Sequence, residues 1–490
     1  MLHSSTRLVC SPLPAAPRAR HPADLARRGA LALGLGLLAL GGSADAATLQ
    51  VGPGKTYGKP CQAIAAAAAG DVIEIDAAGN YTGDTCAFST DNLTLRGVNG
   101  RPKIDITGTP PAQKKGIYAI TAPNATIENL ELSGAAISMA DGNNGAGIRH
   151  QGTNLTVRGC YFHDNQNGIL GAPPTGGTGQ VLIEYSEFEN NGAGDGFSHN
   201  MYIGNYAVFT LQHSYSHRGK VGHLVKTRAI ENRIWYNRIT DENGTASYEI
   251  DIPDAGLSYV IGNLLEQSSG TQNPAILSYA AESTGGGRDT HLYVVNNTFI
   301  NNKKSGSFVN NASATPSLLR NNIFMYAGTI TAQSGAQMSG NFVNATQGDP
   351  MFVNVAAYDV RLQAGSPCID TAVDPGSAGS QSLAPVWQYL HPVSRQSRAV
   401  IGAATDVGAY EFGNQGTADG GTGGTGGSDG GTGSEADGGT GGTGGTTPTG
   451  CSCQLGGAHS PSPSPLALLL PVIGLGLGLV LRRQRSPQRA

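Results

Sequence analysis

Residues 234–239 read IWYNRI, 260–265 VIGNLL, 294–299 VVNNTF, 319–324 LRNNIF and 338–343 MSGNFV. Each segment starts on an apolar residue and carries Asn at its fourth position: Asn237, Asn263, Asn297, Asn322 and Asn341. Working outward towards the N-terminus, IENLEL from Ile127, VRGCYF from Val157, IEYSEF from Ile183 and LQHSYS from Leu211 keep the same frame. Their fourth positions are Leu130, Cys160, Ser186 and Ser214. Successive segments begin 19 to 34 residues apart, which is room for three short strands and three turns. Repeats of this length are the mark of a solenoid. Stacked amides can hydrogen-bond from coil to coil, and Asn tolerates the left-handed backbone of a sharp bend. A ladder of Asn side chains is the expected result.

The Leu-x-x-Leu-x-Leu signature of a leucine-rich repeat and the Trp-Asp marks of a propeller are missing. The fold class is therefore all-β: a single-stranded, right-handed parallel β-helix with sheets wound around an apolar core. Composition agrees, because 72 glycines in 490 residues and only 13% charged residues suit short strands joined by tight turns. A net charge of -4 offers no basic field, so nucleic acid is excluded as a partner. The protein is expected to act as a monomer.

Four regions follow along the chain. Residues 1–46 read as an export signal, with Arg27 and Arg28 before the apolar run GALALGLGLLAL and a small-residue site ending at Ala46. Residues 47–413 form the β-helix domain, with an alanine-rich helix over Pro60 to Ala69 covering its open N-terminal end. The segments at Gly348, Tyr358 and Asp406 are expected to complete the last coils. Residues 414–450 are a Gly/Thr-rich linker. Residues 451–490 hold Cys451, Cys453, an apolar run over 466–481 and then Arg482, Arg483 and Arg485, the order of a membrane anchor with its basic end inside. The β-helix would then be displayed at the cell surface or outer membrane. Cys61 and Cys86 suit a disulfide in an exported protein, and equally two buried thiols; Cys160 falls on an inward position, and Cys368 lies in the turn-rich C-terminal segment.

The chemistry concentrates between His199 and Asp254, in HNMYIGNY from His199, GHLVKTRA from Gly222 and SYEIDIPDAG from Ser247. Strand alternation aligns Met201, Val225 and Ile250 inward. Tyr202, Lys226 and Asp251 then lie outward, with Arg228 one step along and Glu249 on the neighbouring coil. The expected binding surface also takes in Arg149, His199 and Asn200, and His150 could extend it. His199 and His223 share the parity of the inward residues, which favours a buried structural role. At a turn into the groove, His223 would instead serve as acid or base. Glu249 and Asp251 supply the oxygen ligands that a calcium ion takes. As a pair of carboxylates they also suit glycoside hydrolysis.

Over Thr48 to Phe412 the repeats and the cap resemble the pectate lyase-like superfamily. Residues 223–263, HLVKTRAIENRIWYNRITDENGTASYEIDIPDAGLSYVIGN, are similar to the core of β-helix lyases of the alginate lyase and chondroitinase B type. The resemblance implies an acidic polysaccharide as partner and β-elimination as reaction, with Lys226, followed by Thr227, abstracting the proton beside the uronate carboxylate. Asn232 and Asn237 match the asparagine spacing that follows. The arginine of the next coil does not carry over, since that coil reads Tyr248-Glu249-Ile250-Asp251. On this reading Arg228 neutralises the substrate and Tyr202 or His223 supplies the proton. The C-terminal tail resembles myxobacterial sorting signals. A non-catalytic adhesive or polysaccharide-binding protein remains the alternative to an enzyme.

Overall fold

The computed structural model describes residues 46–284, 286–414 and 418–419. One compact unit runs over Met1–Gly427 and a second over Ser428–Ala490, the latter wholly outside the described residues. The expected export signal, apart from Ala46, and the expected anchor also lie outside them. Among the described residues no helix is long and apolar enough to cross a membrane.

Each complete coil contributes one strand to each of three parallel sheets, of twelve, ten and nine strands in the order in which a coil visits them, the terminal coils contributing to fewer. The first apolar residue of every repeat but the last points into the core of the first sheet; Met338, on the terminal strand, is exposed. Ile127, Val157, Ile183, Leu211, Ile234, Val260, Val294 and Leu319 stand in register from coil to coil, and all are fully buried. Phenylalanines stack similarly behind the second sheet, Phe162 on Phe188 at 4.8 Å and Phe299 on Phe324 at 5.2 Å between ring centroids.

The amide ladder forms at the bend between the first and second sheets. The Oδ1 of Asn263 accepts from the backbone N–H and the Nδ2 of Asn237, at 2.9 and 3.0 Å. The same two bonds link Asn263 to Asn297, Asn297 to Asn322 and Asn322 to Asn341. Upstream the hydroxyls of Ser186 and Ser214 accept the corresponding backbone N–H groups of Cys160 and Ser186. The left-handed residue, however, is the one before the ladder position. Asn129, Tyr185, His213, Tyr236, Asn296 and Asn321 all have φ between 50° and 58°. Two of these, Tyr185 and Tyr236, are of a type that enters this region uncommonly, so the geometry of the coil overrides residue preference there.

At the N-terminal end the helix Pro60–Ala66 buries Pro60, Ala63 and Ile64. Its Gln62 Oε1 accepts the N–H groups of Gly58 and Lys59, satisfying donors that a helix start leaves free. It ends earlier than Ala69 because Asp71 Oδ2 takes the N–H of Ala68 at 2.8 Å. A Cys61–Cys86 disulfide ties the helix to the first strand of the third sheet.

The C-terminal segment corrects an expectation, for it does not complete the coils. The hairpin Phe352–Asn354 with Asp359–Leu362 is antiparallel and joins none of the three sheets. Phe352, Val360, Leu362 and Cys368 pack instead with Leu264, Ile300, Ile323 and Met325. The physical reason is that the outward side of the second sheet turns apolar in its last coils and needs a cover. Cys368 is thus a buried thiol, pushed up to about 12 by burial.

Candidate functional site

The strands Met201–Ile203, Val225–Thr227 and Ile250–Ile252 are neighbours in the third sheet. Their register aligns Tyr202, Lys226 and Asp251. Going back, the row continues to Leu170 and Arg149, and going forward to Ser278 and Asn310. Alternation thus reads correctly for this outward row.

Lys226 Nζ lies 3.1 Å from Asp251 Oδ2 and 3.7 Å from Glu282 Oε1. Arg228 donates from Nε to the Tyr202 hydroxyl, from Nη1 to Asp254 and from Nη2 to Glu282, each at 2.6 Å. Burial alone would lower the Arg228 guanidinium, but the bonds to Glu282, Asp254 and Tyr202 outweigh it and hold it above its usual value. Both cations also approach the Tyr202 ring, at 5.5 and 5.8 Å from its centroid. Two cations thus face three carboxylates in a closed network. Asp254 and Glu282 were not read as site residues. Asp254 lay in view, three residues after Asp251, but Glu282 reaches in from a loop 54 residues beyond Arg228, and nothing in the sequence marks that approach.

His199 and His223 stack at 4.6 Å, and both are buried. Burial, reinforced by the charges of Lys226 and Arg228, pulls His199 down to about 3. Burial together with His199 and Lys226 depresses His223 well below the usual imidazole range. Both rings are therefore neutral near pH 7, and His223 Nε2 sits 3.4 Å from Asp251 Oδ2.

Several expected surface residues are interior. His199 belongs to the buried stack rather than to a binding surface. Asn200 is fully buried, donating to the carbonyls of Phe188 and His217 and to Ser216 Oγ. His150 is buried, bonded through Nδ1 to the Tyr206 hydroxyl at 2.6 Å, and lowered to about 4 by burial. Thr227 bonds Asn232 inside the coil at 2.7 Å.

Glu249 is the largest correction. It is fully buried, and neither carboxylate oxygen has a hydrogen-bond partner among the described residues. The reason is that the chain bends just before the strands Met201–Ile203, Val225–Thr227 and Ile250–Ile252, so alternation fails there. Asn200, Leu224 and Ile276, each one residue before the matching aligned position, are fully buried too. Burial, then the charges of Asp241 and Glu266, raise the Glu249 carboxyl well above its usual value. Glu249 and Asp251 therefore do not make the expected calcium pair, nor the carboxylate pair of a hydrolase. The ligand-like cluster among the described residues is Glu187, Glu189 and His217, on the second sheet. There Arg218 Nη1 lies 2.7 Å from Glu189, so a cation already occupies that carboxylate.

Arg149 differs from the other cations of the row. It is half-buried, its Nε has no hydrogen-bond partner, and no carboxylate forms an ion pair with it among the described residues. Burial lowers its guanidinium somewhat.

Residues 78–248 match the family model of the right-handed β-helix region. No curated protein matches the sequence. Among solved structures the chain is similar to pectate lyase Pel9A, with 16% identity, 75% of this chain and 96% of that one covered, and a TM-score of 0.52. It also matches the PL6 family polysaccharide lyase Pedsa3628 from Pseudopedobacter saltans, at 14% identity over 66% and 98% of the two chains with a TM-score of 0.33. A pectin methylesterase from Aspergillus niger matches at 12% identity over 62% and 87%, with a TM-score of 0.25. With three stacked parallel sheets, the match over residues 78–248 and the overlap with pectate lyase Pel9A, the chain has a right-handed parallel β-helix fold like that of pectate lyase Pel9A.

Proposed function

We propose that the protein binds an acidic polysaccharide across the third sheet, along the outward row Arg149, Leu170, Tyr202 and Lys226. The observation that carries this reading is Arg149, a half-buried cation with no counter-ion among the described residues, in a register that leads to Tyr202 and Lys226. Neighbouring strands lie ~4.8 Å apart, so Arg149 and Lys226 stand roughly 14 Å apart along the row, a span of several sugar units. A carboxylate on the polymer would pair with Arg149, since Lys226 and Arg228 are already held by Asp251, Asp254 and Glu282. Affinity electrophoresis in alginate, pectate and glycosaminoglycans tests the reading: retardation that Arg149→Ala abolishes supports it, and unretarded migration in all three sinks it.

Cleavage by β-elimination is the second reading, favoured by Asp251 Oδ2, which lies between Lys226 Nζ and His223 Nε2 at 3.1 and 3.4 Å. Lys226 would take the proton beside the uronate carboxylate, Arg228 would balance charge, and Tyr202 or His223 would serve the leaving oxygen. Asp251 and Glu282 already engage Lys226 Nζ, at 3.1 and 3.7 Å, which weighs against this role. Ultraviolet absorbance of unsaturated product, sought with the same polymers, decides it. We further propose export and surface display through residues 466–481, which fractionation of cells carrying a chain cut at residue 450 would test.

A further inference from the structure

The second sheet carries a separate cavity. Its outward row runs Glu131, Tyr161, Glu187, Tyr215, Arg238 in register and turns apolar at Leu264, where the C-terminal cover begins. At that boundary Arg238, Leu264, Tyr358, Tyr389, His391 and Tyr410 line a cavity of about 260 Å³. The solenoid supplies one wall and the cover supplies the other.

The polar groups of this cavity come as neutralised pairs. Arg238 Cζ lies 4.8 Å from the Tyr215 ring centroid and 4.9 Å from that of Tyr358. Its Nη2 donates to Glu242 at 2.8 Å and its Nε to Thr240 at 3.2 Å. Its Nη1 faces His391 Nδ1 at 3.5 Å, the far limit of a hydrogen bond, so one donor edge is only weakly engaged. Across the cavity Arg361 grips both oxygens of Asp359, at 2.8 and 2.6 Å. With Glu187 and Glu242 close by there is no positive excess to attract an acid: Arg238 matches Glu242, Arg361 matches Asp359, and Glu187 faces His217 Nε2 at 3.0 Å. Aromatic walls with a few placed donors and acceptors are the usual make-up of a small-molecule pocket.

We propose that this cavity is a second binding site, distinct from the third sheet, for a neutral pyranoside. The apolar faces of the sugar ring would lie against Tyr358 and Tyr410, and vicinal hydroxyls would bond the Arg238–Glu242 and Arg361–Asp359 pairs. Such a site would hold a neutral sugar of a mixed polysaccharide while the row at Arg149 holds an acidic one.

The test is saturation-transfer NMR and isothermal titration on the full chain. The probes are methyl glycosides of glucose, galactose and mannose, with the corresponding hexuronic acids in parallel. At least one neutral glycoside binds in the millimolar range, and Tyr358→Ala and Tyr410→Ala each weaken it about tenfold or more. His391→Ala, at the exposed mouth, weakens it as well and guards against either tyrosine variant failing to fold. Arg149→Ala leaves glycoside binding intact, which separates failure here from failure of the proposed function. No binding by any neutral glycoside, binding of the hexuronic acids alone, or binding that survives all three cavity variants would overturn the proposal.

Discussion

The Nδ1 of His199 accepts a 2.9 Å hydrogen bond from the backbone N–H of His223, one coil further on. An imidazole nitrogen that accepts carries no proton, so this bond selects one neutral tautomer of His199 and resists its protonation. The pair consequently couples stability to pH. An imidazole with a depressed folded pKa binds protons in the unfolded chain first, so its stabilising contribution is full above about 6.5 and is lost as pH falls towards about 3. Urea denaturation between pH 7 and pH 4 would show a steeper loss in the wild type than in His199→Gln. Equal slopes would contradict the linkage.

Glu249 predicts the opposite dependence. Its raised carboxyl, like that of Glu266 at about 8, contributes stability that is present below the unfolded value of 4.5 and lost as pH rises through the folded one. Glu249→Leu, matching Leu224 at the same corner, is expected to stabilise the protein at pH 7.5 by about 1–3 kcal/mol. A lowered melting temperature for this variant would count against an unpartnered carboxylate at that corner.

Removing one half of a buried ion pair should be worse than removing both. Lys226→Met leaves Asp251, 4% exposed, without its 3.1 Å partner and is expected to destabilise by about 3–5 kcal/mol. The double variant Lys226→Met with Asp251→Asn should recover much of that loss. A double-variant cycle in guanidinium that shows simple additivity refutes the pairing.

The ladder can be probed in its middle and at its end. Asn297 is fully buried and serves Asn263, Asn322 and the Val260 carbonyl, whereas Asn341 at the end is only part-buried. Asn297→Ala should destabilise by about 1–3 kcal/mol, and Asn341→Ala by less. The reverse order in chemical denaturation would refute a cooperative ladder.

Breaking the Cys61–Cys86 link, whose partners are 25 residues apart, is expected to lower stability by about 2–4 kcal/mol. Thermal melts with and without reductant check this, and Cys61→Ser should melt alike under both conditions.

How much of this was legible in the sequence depended on whether a signal was periodic. The ladder residues Asn237 to Asn341 and the inward row from Ile127 to Leu319 repeat one chemical requirement per coil, so spacing alone revealed them. Tyr202, Lys226 and Asp251 followed from strand alternation. Glu249 did not, because alternation describes strands and this residue sits on a corner. Tyr185, His213 and Tyr236 concealed the left-handed position, since the coil imposes it on whatever residue stands there. Glu282 comes from a loop with no period, and Arg149 became distinctive only once the neighbours of every other cation were known.

The cover over the last coils of the second sheet sets where the protein can change length. The apolar core of the hairpin Phe352–Asn354 and Asp359–Leu362 meets the sheet from Leu264 onward, and further back the C-terminal segment reaches Tyr215 through His391, His213 through Trp387 and Tyr185 through Arg395. Insertion or loss of a whole coil upstream of Tyr185 would shift both ends as rigid pieces and lengthen or shorten the row that includes Arg149. The same event downstream would pull Leu264, Ile300 and Met325 out from under their lid. Growth of the binding surface is thus open at one end of the solenoid and closed at the other.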